Sequence, residues 1–374
     1  MNVRERCRRL WEDPGPRKDR SPFALLLEVF SLFYRVGVVL RNDFYDRELF
    51  RSVRLPCRVI SVGNVTAGGT GKTPMVILLA RLLKDLGYRP AVLSRGYGGK
   101  GKAPVNIVSD GASILMSPLE GGDEPVLIAR SVPGIPVLTG SDRCLTGRNA
   151  IERMGADVLI LDDGFQHRRL FRDINIVLLD SDRPWGNGFL LPRGPLREPP
   201  TRALRRADIV IRTGGMHNRT SGEAAGTQVE TGDSGAVLLR SSPIFRGIHQ
   251  PCALISLDGG RKMDLQYLAG ERICAFAGIG VPEQFRKTLE SLGAEIVEFL
   301  AYPDHHRYDS SDLAFIERTA KEARAEMIVT TEKDEIKLAP MEKLALPACF
   351  LSIEMRVKPQ KSFEHLVLEM MKDG

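Results

Sequence analysis

Residues 58–74, RVISVGNVTAGGTGKTP, decide the fold of this chain. The segment RVISV (58–62) predicts a strand, and residues 73–86 predict a helix that Gly87 ends. A glycine loop between a strand and a helix is the setting of a phosphate-binding loop. The usual pattern has glycine where this chain has Thr66, but its later positions match. We expect nucleotide to be bound by Thr66, Ala67, Gly68, Gly69, Thr70, Gly71, Lys72 and Thr73.

The residue types of this loop suit a triphosphate. Glycines let successive backbone N–H groups turn toward one anion, and the N-terminus of the helix adds its dipole. Lys72 would reach the β- and γ-phosphates, and the Thr73 hydroxyl would bind Mg²⁺. Tight turns also use glycine runs, but the Lys-Thr pair between a strand and a helix favours nucleotide binding.

Short β-branched runs alternate with helical patterns along the rest of the chain. Strands are predicted at 91–94, 106–109, 136–139, 157–163, 174–180 and 207–213, with a helix at 142–154. A second series has strands at 273–279, 295–300, 327–331 and 349–355 and helices at 283–292, 310–325 and 361–372. Such alternation predicts parallel sheets covered by helices. The fold class is therefore α/β, with a P-loop NTPase-like parallel sheet domain and a second, smaller α/β domain.

Composition indicates where the domains end. Residues 214–235 are rich in Gly, Thr and Ser and predict a surface loop. The runs AVLLRS (236–241) and CALISL (252–257) are candidate strands of a connecting ribbon. We expect four parts: a basic, apolar, membrane-associating helical segment (1–55), the P-loop domain (56–213), a linker or ribbon (214–250) and a C-terminal α/β domain (251–374).

The overall composition is that of a globular protein. Of the 374 residues, 43% are hydrophobic and 27% charged, which suits two ordinary α/β domains. Six cysteines lie scattered without a C-x-x-C pair, which argues against a zinc site and fits a reducing compartment. Residues 1–55 hold twelve Lys or Arg against eight Asp or Glu. This excess suits an anionic surface, although a merely solvated basic arm explains it equally well.

The most apolar stretch of the chain is FALLLEVFSLFYRVGVVL, residues 23–40. At helical spacing its polar residues form one narrow stripe, and most of the remaining circumference is apolar. One interpretation is a helix in a membrane interface, with Arg41, Arg47, Arg51 and Arg54 at the lipid headgroups. The other is a helix packed on the protein's own core. A transmembrane span is less favoured, because 18 residues barely reach the roughly 20 that a bilayer requires.

Two acidic motifs are candidates for the chemistry. LILDDGFQHR (159–168) places Asp162 and Asp163 at the carboxyl end of a strand, where one of them can hold Mg²⁺. The alternative is a solvated Asp-Asp-Gly turn. GGDEP (121–125) places Asp123 and Glu124 at a predicted helix start. There Asp123 is either an ordinary helix cap or the acceptor of a proton from a substrate hydroxyl.

Three further motifs leave two interpretations each. In YPDHHRY (302–308), His305 and His306 ligate a metal or pair with a carboxylate, and no third ligand stands out at a suitable spacing. In VTTEKDEIKL (329–338), Lys333 and Asp334 cap the next helix or line a cleft. LLPRGPLREPP (190–200) is a rigid basic loop for an anionic substrate or a plain connector.

These segments together resemble the tetraacyldisaccharide 4′-kinase family. The resemblance runs from about residue 23 to the carboxyl end, and DDGFQHR and the loop beginning with Thr66 are its most specific parts. The family carries Thr or a similar residue at that loop position, so the missing glycine is a family trait. The segments occur in the family's order: VGNVTAGGTGKTP, SRGYGG, GGDEP, LTGSDR, DDGFQHRRL, LPRGPLREP, FAGIG, the DHH segment and TTEKD.

The resemblance implies ATP-dependent phosphorylation of the 4′-hydroxyl of a lipid A disaccharide precursor, with Mg²⁺, at the cytoplasmic face of a bacterial inner membrane. It implies that Asp123 is the general base, that His305 or His306 orients it, and that Thr73, Asp162, Asp163 and Glu124 serve the metal. The substrate contacts that it implies are Arg95, Gln166, His167, Arg193 and Arg197. The partners are an acylated disaccharide lipid and an anionic membrane surface; no oligomer is inferred.

Two other classes of function are less favoured. A regulatory or metal-insertion ATPase or GTPase would need a signature lysine where this chain has Ala67. A nucleic-acid-binding ATPase would suit the basic charge, but aromatic residues make up only 6% of the chain and no recognised nucleic-acid module is present. We expect no nucleic-acid partner.

Overall fold

The computed structural model describes residues 6–7, 10–11, 21–214, 228–230, 236–238, 242–338 and 344–372. The helices are α1 (Pro22–Asp46), α2 (Lys72–Asp85), α3 (Pro118–Gly121), α4 (Asp123–Ser131), α5 (Arg143–Met154), α6 (Pro200–Leu204), α7 (Pro282–Ser291), α8 (Ser310–Glu322), α9 (Glu332–Glu335) and α10 (Gln360–Lys372). The strands are β1 (Arg58–Asn64), β2 (Pro90–Ser94), β3 (Asn106–Ser109), β4 (Val137–Thr139), β5 (Val158–Asp162), β6 (Ile174–Asp180), β7 (Ile209–Thr213), β8 (Gln228–Glu230), β9 (Ala236–Leu238), β10 (Ile244–Ser256), β11 (Lys262–Met263), β12 (Arg272–Ala277), β13 (Glu295–Ala301), β14 (Met327–Thr331) and β15 (Ala348–Lys358).

Unit 1 of the chain is built on a parallel sheet. It consists of Met1–Arg95, Gly140–Ile248 and Arg356–Gly374. Its strands run in the order β10–β7–β6–β1–β5–β2, and each neighbouring pair is parallel. β1, β2 and β5 are almost wholly buried, as expected for strands covered on both faces. The carboxyl ends of β1, β2 and β5 share one edge of this sheet, which is where an α/β fold binds ligands.

Unit 2 has its own α/β core. It consists of Gly96–Thr139 and His249–Met355. β13, β12, β14 and β15 are parallel in that order, and β11 pairs antiparallel with β10. Apolar side chains of α7 and α8, among them Leu289 and Ile316, are fully buried against this sheet. β3 and β4 form an antiparallel pair, and α4 lies between them in the chain.

The predicted α/β fold class, with a P-loop sheet domain and a second α/β domain, is confirmed. The two units divide the chain at other positions than the predicted boundaries. Residues 96–139 group with residues 249–355 in unit 2, and residues 356–374 group with unit 1. Hydrophobic periodicity identifies a strand but does not say which sheet the strand joins.

The predicted ribbon differs from the observed strands. CALISL (252–257) belongs largely to the long strand β10, which pairs with β7 and β11. β9 pairs antiparallel with β8, which lies inside the segment predicted as loop. β9 lies within the predicted run AVLLRS, whereas β8 was missed because its surroundings are rich in Gly, Thr and Ser. Residues 215–227, 231–235 and 239–241 of the predicted loop and ribbon lie outside the described residues.

Gly63 in β1 allows the turn after β5 to pack on the strand that leads into the glycine loop. A Cβ at Gly63 would lie 2.5 Å from Phe165 Cβ and 3.0 Å from Phe165 N, closer than packed atoms approach. Phe165 is fully buried, so it has little room to move. We expect Gly63→Ala to lower the free energy of unfolding by about 1–3 kcal/mol, measured by denaturant titration.

Gly37→Ala is the matched control for this variant. Gly37 lies within α1, and a Cβ there meets no atom of the described residues within 4 Å. Alanine favours a helix over glycine by about 1 kcal/mol, so this variant should be as stable as the parent or more stable. Equal stability of the Gly63→Ala variant and the parent would contradict the packing argument.

Helix α1 packs on unit 1 through part of its polar stripe. Ser21 caps the helix, and its side chain accepts a hydrogen bond from the backbone N–H of Ala24. The Ser31 hydroxyl donates to the Leu190 carbonyl at 2.8 Å, and the Tyr34 hydroxyl donates to the Arg197 carbonyl at 3.0 Å. Of the polar stripe, Ser31 and Asn42 are buried, whereas Glu28 and Arg35 are exposed, so the stripe contacts the protein only in part.

The rest of the α1 surface is apolar and exposed. Phe33 is 70% exposed and Leu32 is 60% exposed. By length and composition α1 could cross a membrane, a criterion that signal sequences and buried core helices also meet. The predicted core-packed alternative holds only for the narrow face that carries Ala24, Leu27, Ser31 and Asn42. The large exposed side chains of the helix are Leu25, Leu26, Val29, Phe30, Leu32, Phe33, Val36, Leu40 and Phe44.

Candidate active site

The glycine loop of unit 1 forms a backbone cradle between β1 and α2. Gly68 has φ +134° and Gly71 has φ +80°, conformations that other residues rarely adopt. Gly71 is the residue before the first turn of α2, so the N–H groups of that turn lack partners within the helix. A Cβ at Gly68 or Gly69 would meet no described atom within 4 Å, so this face of the loop is open. The loop can therefore receive an anion at the helix N-terminus.

Neighbouring segments hold the cradle in place. The Ala67 N–H donates to the Pro195 carbonyl at 2.7 Å, and the Thr213 hydroxyl donates to the Thr70 carbonyl at 3.0 Å. Lys72 lies along the loop, with its Nζ donating to the Gly68 carbonyl at 3.4 Å. The proline-rich segment 190–200 thus supports the loop, a role that neither sequence interpretation of this segment included.

Asp162 and Asp163 lie where β5 ends. Asp162 is buried, is the register partner of Val62 on β1, and accepts a hydrogen bond from the Ser94 hydroxyl at 3.0 Å. Asp163 has φ +51°, an unfavourable conformation for a non-glycine residue that often marks a functional position. Its Oδ1 lies 2.7 Å from Arg197 NH1. The alternative of a wholly solvated turn is wrong for Asp162.

Lys72 and Arg197 keep Asp163 ionised. Lys72 Nζ lies 3.8 Å from Asp163 Oδ1. Burial acts to raise the pKa of the Asp163 carboxyl, but the charges of Lys72 and Arg197 outweigh burial and hold this pKa below its ordinary value. Lys72 is therefore a cation beside an anion in this structure, on the open side of the phosphate cradle.

Arg143 is a buried cation that the sequence interpretation missed as a site residue. It is 4% exposed, and its NH1 donates to the Gly140 carbonyl at 2.8 Å. Burial lowers the pKa of the Arg143 guanidinium, while the nearby carboxylates of Asp162 and Asp163 act in the opposite direction. Its place at the start of α5 was predicted, but its proximity to the acidic pair depends on the pairing of β5 with β1 and β2.

The oxygen ligands of unit 1 suit a magnesium ion that also binds phosphates. Thr73 offers a hydroxyl in the first turn of α2, and Asp162 offers a carboxylate at the end of the strand beside β1. Across the described residues, no group of three His, Cys, Asp or Glu side chains is arranged to hold a metal ion. Mg²⁺ typically takes one or two carboxylates and completes its shell with phosphates and water. The donor set therefore fits Mg²⁺ together with a nucleotide.

Gln166 and His167 follow this acidic turn. Gln166 Nε2 donates to the Asn64 carbonyl at 2.9 Å, and Gln166 Oε1 accepts from Arg197 at 3.2 Å. Burial lowers the pKa of the His167 imidazole to about 4, so His167 is neutral near pH 7. Gln166 thus links the end of β1 to Arg197.

The two remaining predicted substrate contacts have different environments. Arg95 is exposed and follows β2 directly, at the same edge of the sheet as the loop. Arg193 is 5% exposed, and its guanidinium lies 5.0 Å from the centre of the Phe189 ring. A guanidinium packed inside the protein is not presented to a substrate, so we remove Arg193 from the expected contacts.

In unit 2, Asp123 meets one of the two histidines. His305 Nδ1 lies 3.3 Å from Asp123 Oδ2. Gly122, not Asp123, caps α4, and Asp123 is the first helical residue and makes no capping bond. The cap interpretation of Asp123 is therefore wrong. His305 has φ +61°, a strained conformation that directs its ring, and the Tyr97 ring lies 5.9 Å from it.

His306 has a different carboxylate partner. Its Nε2 lies 2.8 Å from Asp312 Oδ2 in the first turn of α8. Its ring packs with those of Tyr302 and Tyr308 in a cluster of three, with centroids 4.7 Å and 4.9 Å away. His306 therefore stabilises the loop that carries His305. Only His305 contacts Asp123, and the two histidines do not converge as metal ligands.

Glu124 is bound to a lysine. Lys333 Nζ lies 2.9 Å from Glu124 Oε1 and 3.8 Å from Asp304 Oδ1. Thr331, not Lys333 or Asp334, caps α9, since its hydroxyl accepts from the Asp334 N–H. Glu124 is therefore paired with an ammonium group in this structure, and its role as a magnesium ligand stays a prediction. The interpretation that placed Lys333 in a cleft-lining position stays a prediction.

The chain is similar to known proteins over nearly its whole length. A family model described as tetraacyldisaccharide-1-P 4′-kinase matches residues 23–372. The chain is 38% identical to a tetraacyldisaccharide 4′-kinase of Desulfatibacillum aliphaticivorans over 368 residues, which cover 96% of both chains. It is 44% identical to that of Geobacter metallireducens over 323 residues, which cover 86% of this chain and 90% of the relative.

A solved structure is also similar over most of the chain. It is the crystal structure of an LpxK from Aquifex aeolicus, described as an "apo" form in complex with ATP. The sequences are 34% identical, the TM-score is 0.70, and the similarity covers 91% of this chain and 97% of that one.

Proposed function

This chain belongs to the tetraacyldisaccharide 4′-kinase family, and we propose that Asp123 is the general base of its reaction and Lys72 its main phosphate-binding cation. The chain is an ATP-dependent phosphotransferase that phosphorylates the 4′-hydroxyl of a tetraacyldisaccharide 1-phosphate, a precursor of lipid A. The alternative of a regulatory or metal-insertion nucleotidase is not favoured, because the family match spans residues 23–372.

The observation that carries the proposed mechanism is the contact between His305 and Asp123. A general base must be free to accept a proton, and it must be held in one orientation. The His305 ring nitrogen, 3.3 Å from Asp123 Oδ2, holds the carboxylate in one orientation. Asp123 also has no capping duty in α4, so its carboxylate is available to the substrate hydroxyl. As the sugar oxygen attacks the γ-phosphate, its proton passes to Asp123.

The nucleotide half of the reaction depends on unit 1. We infer that backbone N–H groups of residues 68–73 bind the phosphate oxygens, while Pro195 holds the Ala67 N–H, and that Lys72 turns from Asp163 to the β- and γ-phosphates. Arg197 remains on Asp163 and keeps that carboxylate paired when Lys72 leaves. Mg²⁺, when bound, neutralises phosphate charge; Thr73 and Asp162 would hold it, and Asp163 would act through water. The protein supplies alignment and charge rather than covalent chemistry.

For the disaccharide we propose contacts with Arg95, Gln166, His167 and Arg197. Arg95 offers an exposed cation to an anionic sugar, and Gln166 and Arg197 are already oriented by each other. His167 is neutral, so it binds hydroxyl groups without adding charge.

The direct test is transfer from γ-labelled ATP. The purified chain is incubated with Mg²⁺, labelled ATP and tetraacyldisaccharide 1-phosphate, and the product is identified by mass spectrometry and NMR. We expect label on the 4′-oxygen. Hydrolysis of ATP at the same rate with and without the disaccharide, and no labelled lipid, would instead favour the regulatory nucleotidase.

We further propose that the chain works at the cytoplasmic face of the bacterial inner membrane as a peripheral or monotopic protein. α1 exposes a broad apolar face while Ser31 and Tyr34 on its other side are hydrogen-bonded to segment 190–200, and this arrangement suits an interfacial helix. Arg47 and Arg51 are exposed just after the helix, where anionic headgroups would lie. The acyl chains of the substrate require such a location.

Replacing Leu26 and Phe33 by glutamine should release the protein from lipid. Both side chains belong to the exposed face, at 54% and 70% exposure, so folding loses little. Removing two such side chains takes away roughly 3–6 kcal/mol of burial in lipid. We expect recovery with anionic vesicles in a flotation assay to fall at least tenfold.

The matched control replaces Tyr267 and Phe315 by glutamine. These side chains are 58% and 44% exposed and lie in unit 2. Their loss should leave flotation unchanged. Flotation of the Leu26 and Phe33 variant at the level of the parent would argue against α1 as the membrane contact.

A further inference from the structure

Lys333 joins the two chain segments that carry the proposed base and its histidine. Its Nζ lies 2.9 Å from Glu124 Oε1 and 3.8 Å from Asp304 Oδ1. Glu124 directly follows Asp123, and Asp304 directly precedes His305. One ammonium group thus contacts the neighbours of both members of the Asp123–His305 pair.

Lys333 itself is held by a buried network. The next residue, Asp334, is fully buried. Its carboxylate accepts hydrogen bonds from the Gly278 N–H at 3.0 Å and the Tyr308 hydroxyl at 3.1 Å, and it lies 2.7 Å from Lys337 Nζ. A short helix with such a fixed residue in its middle has little freedom to rotate. The position of Lys333 is therefore set before any substrate binds.

The local charges require a cation at this point. Asp123, Glu124 and Asp304 bring three carboxylates to the region around Lys333. Burial acts to lower the pKa of the Lys333 ammonium, but Glu124 and Asp304 outweigh burial and raise this pKa. Lys333 is charged at neutral pH, and without it the helix start at Asp123 and the loop at residues 302–308 would repel each other.

We propose that Lys333 is a positioning residue that fastens the start of α4 to the loop 302–308 and thereby keeps His305 on Asp123. This inference rests on the proposed role of Asp123 as base. Lys333 touches neither reacting atom; it acts through Glu124 and Asp304. Its loss should change the rate of the chemical step and leave nucleotide binding in unit 1 intact.

The test is a kinetic comparison of Lys333→Met, Lys333→Arg and the surface control Lys321→Met. Lys321 lies on α8 in an exposed pair with Glu317. Since a misplacement of about 1 Å can cost about 100-fold in rate, we expect Lys333→Met to lower kcat by about 10- to 100-fold. The KM for ATP should change less than about threefold, and arginine, which keeps the charge and the reach, should restore most of kcat. Lys321→Met should match the parent.

A second variant guards against a folding defect in Lys333→Met. Asp304→Asn removes one arm of the contact at a partly exposed carboxylate, so it should fold and should lower kcat without raising the KM for ATP. Parent-like kcat in both Lys333→Met and Asp304→Asn would overturn the proposal. So would a rise in the KM for ATP that accounts for the whole loss of activity.

Asp123→Asn measured in the same series separates the two ideas. If Asp123→Asn is inactive and Lys333→Met has the parent's kcat, the positioning role fails and the base stands. If Asp123→Asn has the parent's activity, the base assignment fails and the positioning role fails with it.

Discussion

Asp123→Asn should lower kcat by about 10²–10⁴-fold, the range that a positioned general base contributes. The asparagine side chain has the same shape and still reaches His305, but its amide cannot take the proton of the sugar hydroxyl. Unit 1, which holds the phosphate loop, is unchanged, so the KM for ATP should stay within about threefold of the parent. Label transfer from γ-labelled ATP to the disaccharide measures kcat.

Asp312→Asn is the matched control for this prediction. Asp312 holds His306 at 2.8 Å, as Asp123 holds His305 at 3.3 Å, so the same substitution alters the neighbouring pair. We expect a modest loss of stability and a kcat within about threefold of the parent, because His306 does not contact the base. An equal loss of kcat in the two variants would mean that a disturbed loop 302–308, rather than the loss of the base, lowers the rate.

Lys72→Ala should remove nearly all phosphate transfer. Lys72 is the cation at the open face of the cradle, 3.8 Å from Asp163, and its charge would stabilise the phosphates as negative charge moves between them. Losing one such electrostatic contact costs about 10²–10³-fold in kcat. The affinity for ATP should also fall, and calorimetry with Mg²⁺ present measures that loss directly. Folding should be preserved, since Arg197 still pairs with Asp163.

Lys84→Ala tests whether charge on helix α2 matters in general. Lys84 lies in the last turn of the same helix, far along the chain from the loop. Its loss should leave kcat and ATP affinity unchanged. Full activity of the Lys72→Ala variant would contradict the proposal that Lys72 and the glycine loop bind the phosphates during transfer.

Most elements of this fold could be predicted because each has enough residues to show a period. Strand β6 was predicted at 174–180 and is Ile174–Asp180; α10 was predicted at 361–372 and is Gln360–Lys372. The short elements α9 and β8 lie in segments without a run of β-branched residues or a helical period, so they were not predicted, whereas the equally short β3 and β4 were. The sequence also did not predict which unit each segment belongs to, because residues 96–139 and 356–374 group with segments that are distant in sequence.

Site residues could be predicted from the sequence only where a motif is specific to one kind of binding. The glycines and the Lys-Thr pair of the loop 66–73 indicate phosphate binding. Arg143 and Lys333 have no such signature, since any lysine or arginine can be a surface charge until its neighbours are known. The sequence also does not decide between His305 and His306. The direction of each side chain depends on the backbone conformation, and His305 has a positive φ that the sequence does not reveal.

Segment 190–198 touches both helix α1 and the glycine loop. Leu190 and Arg197 accept hydrogen bonds from Ser31 and Tyr34 of α1, and Pro195 accepts one from Ala67. Arg41 of α1 also donates to the Gln166 carbonyl, and Gln166 donates to the Asn64 carbonyl at the end of β1. On the proposed interfacial location of α1, we expect a tilt of this helix, for example in a detergent, to change the affinity for ATP.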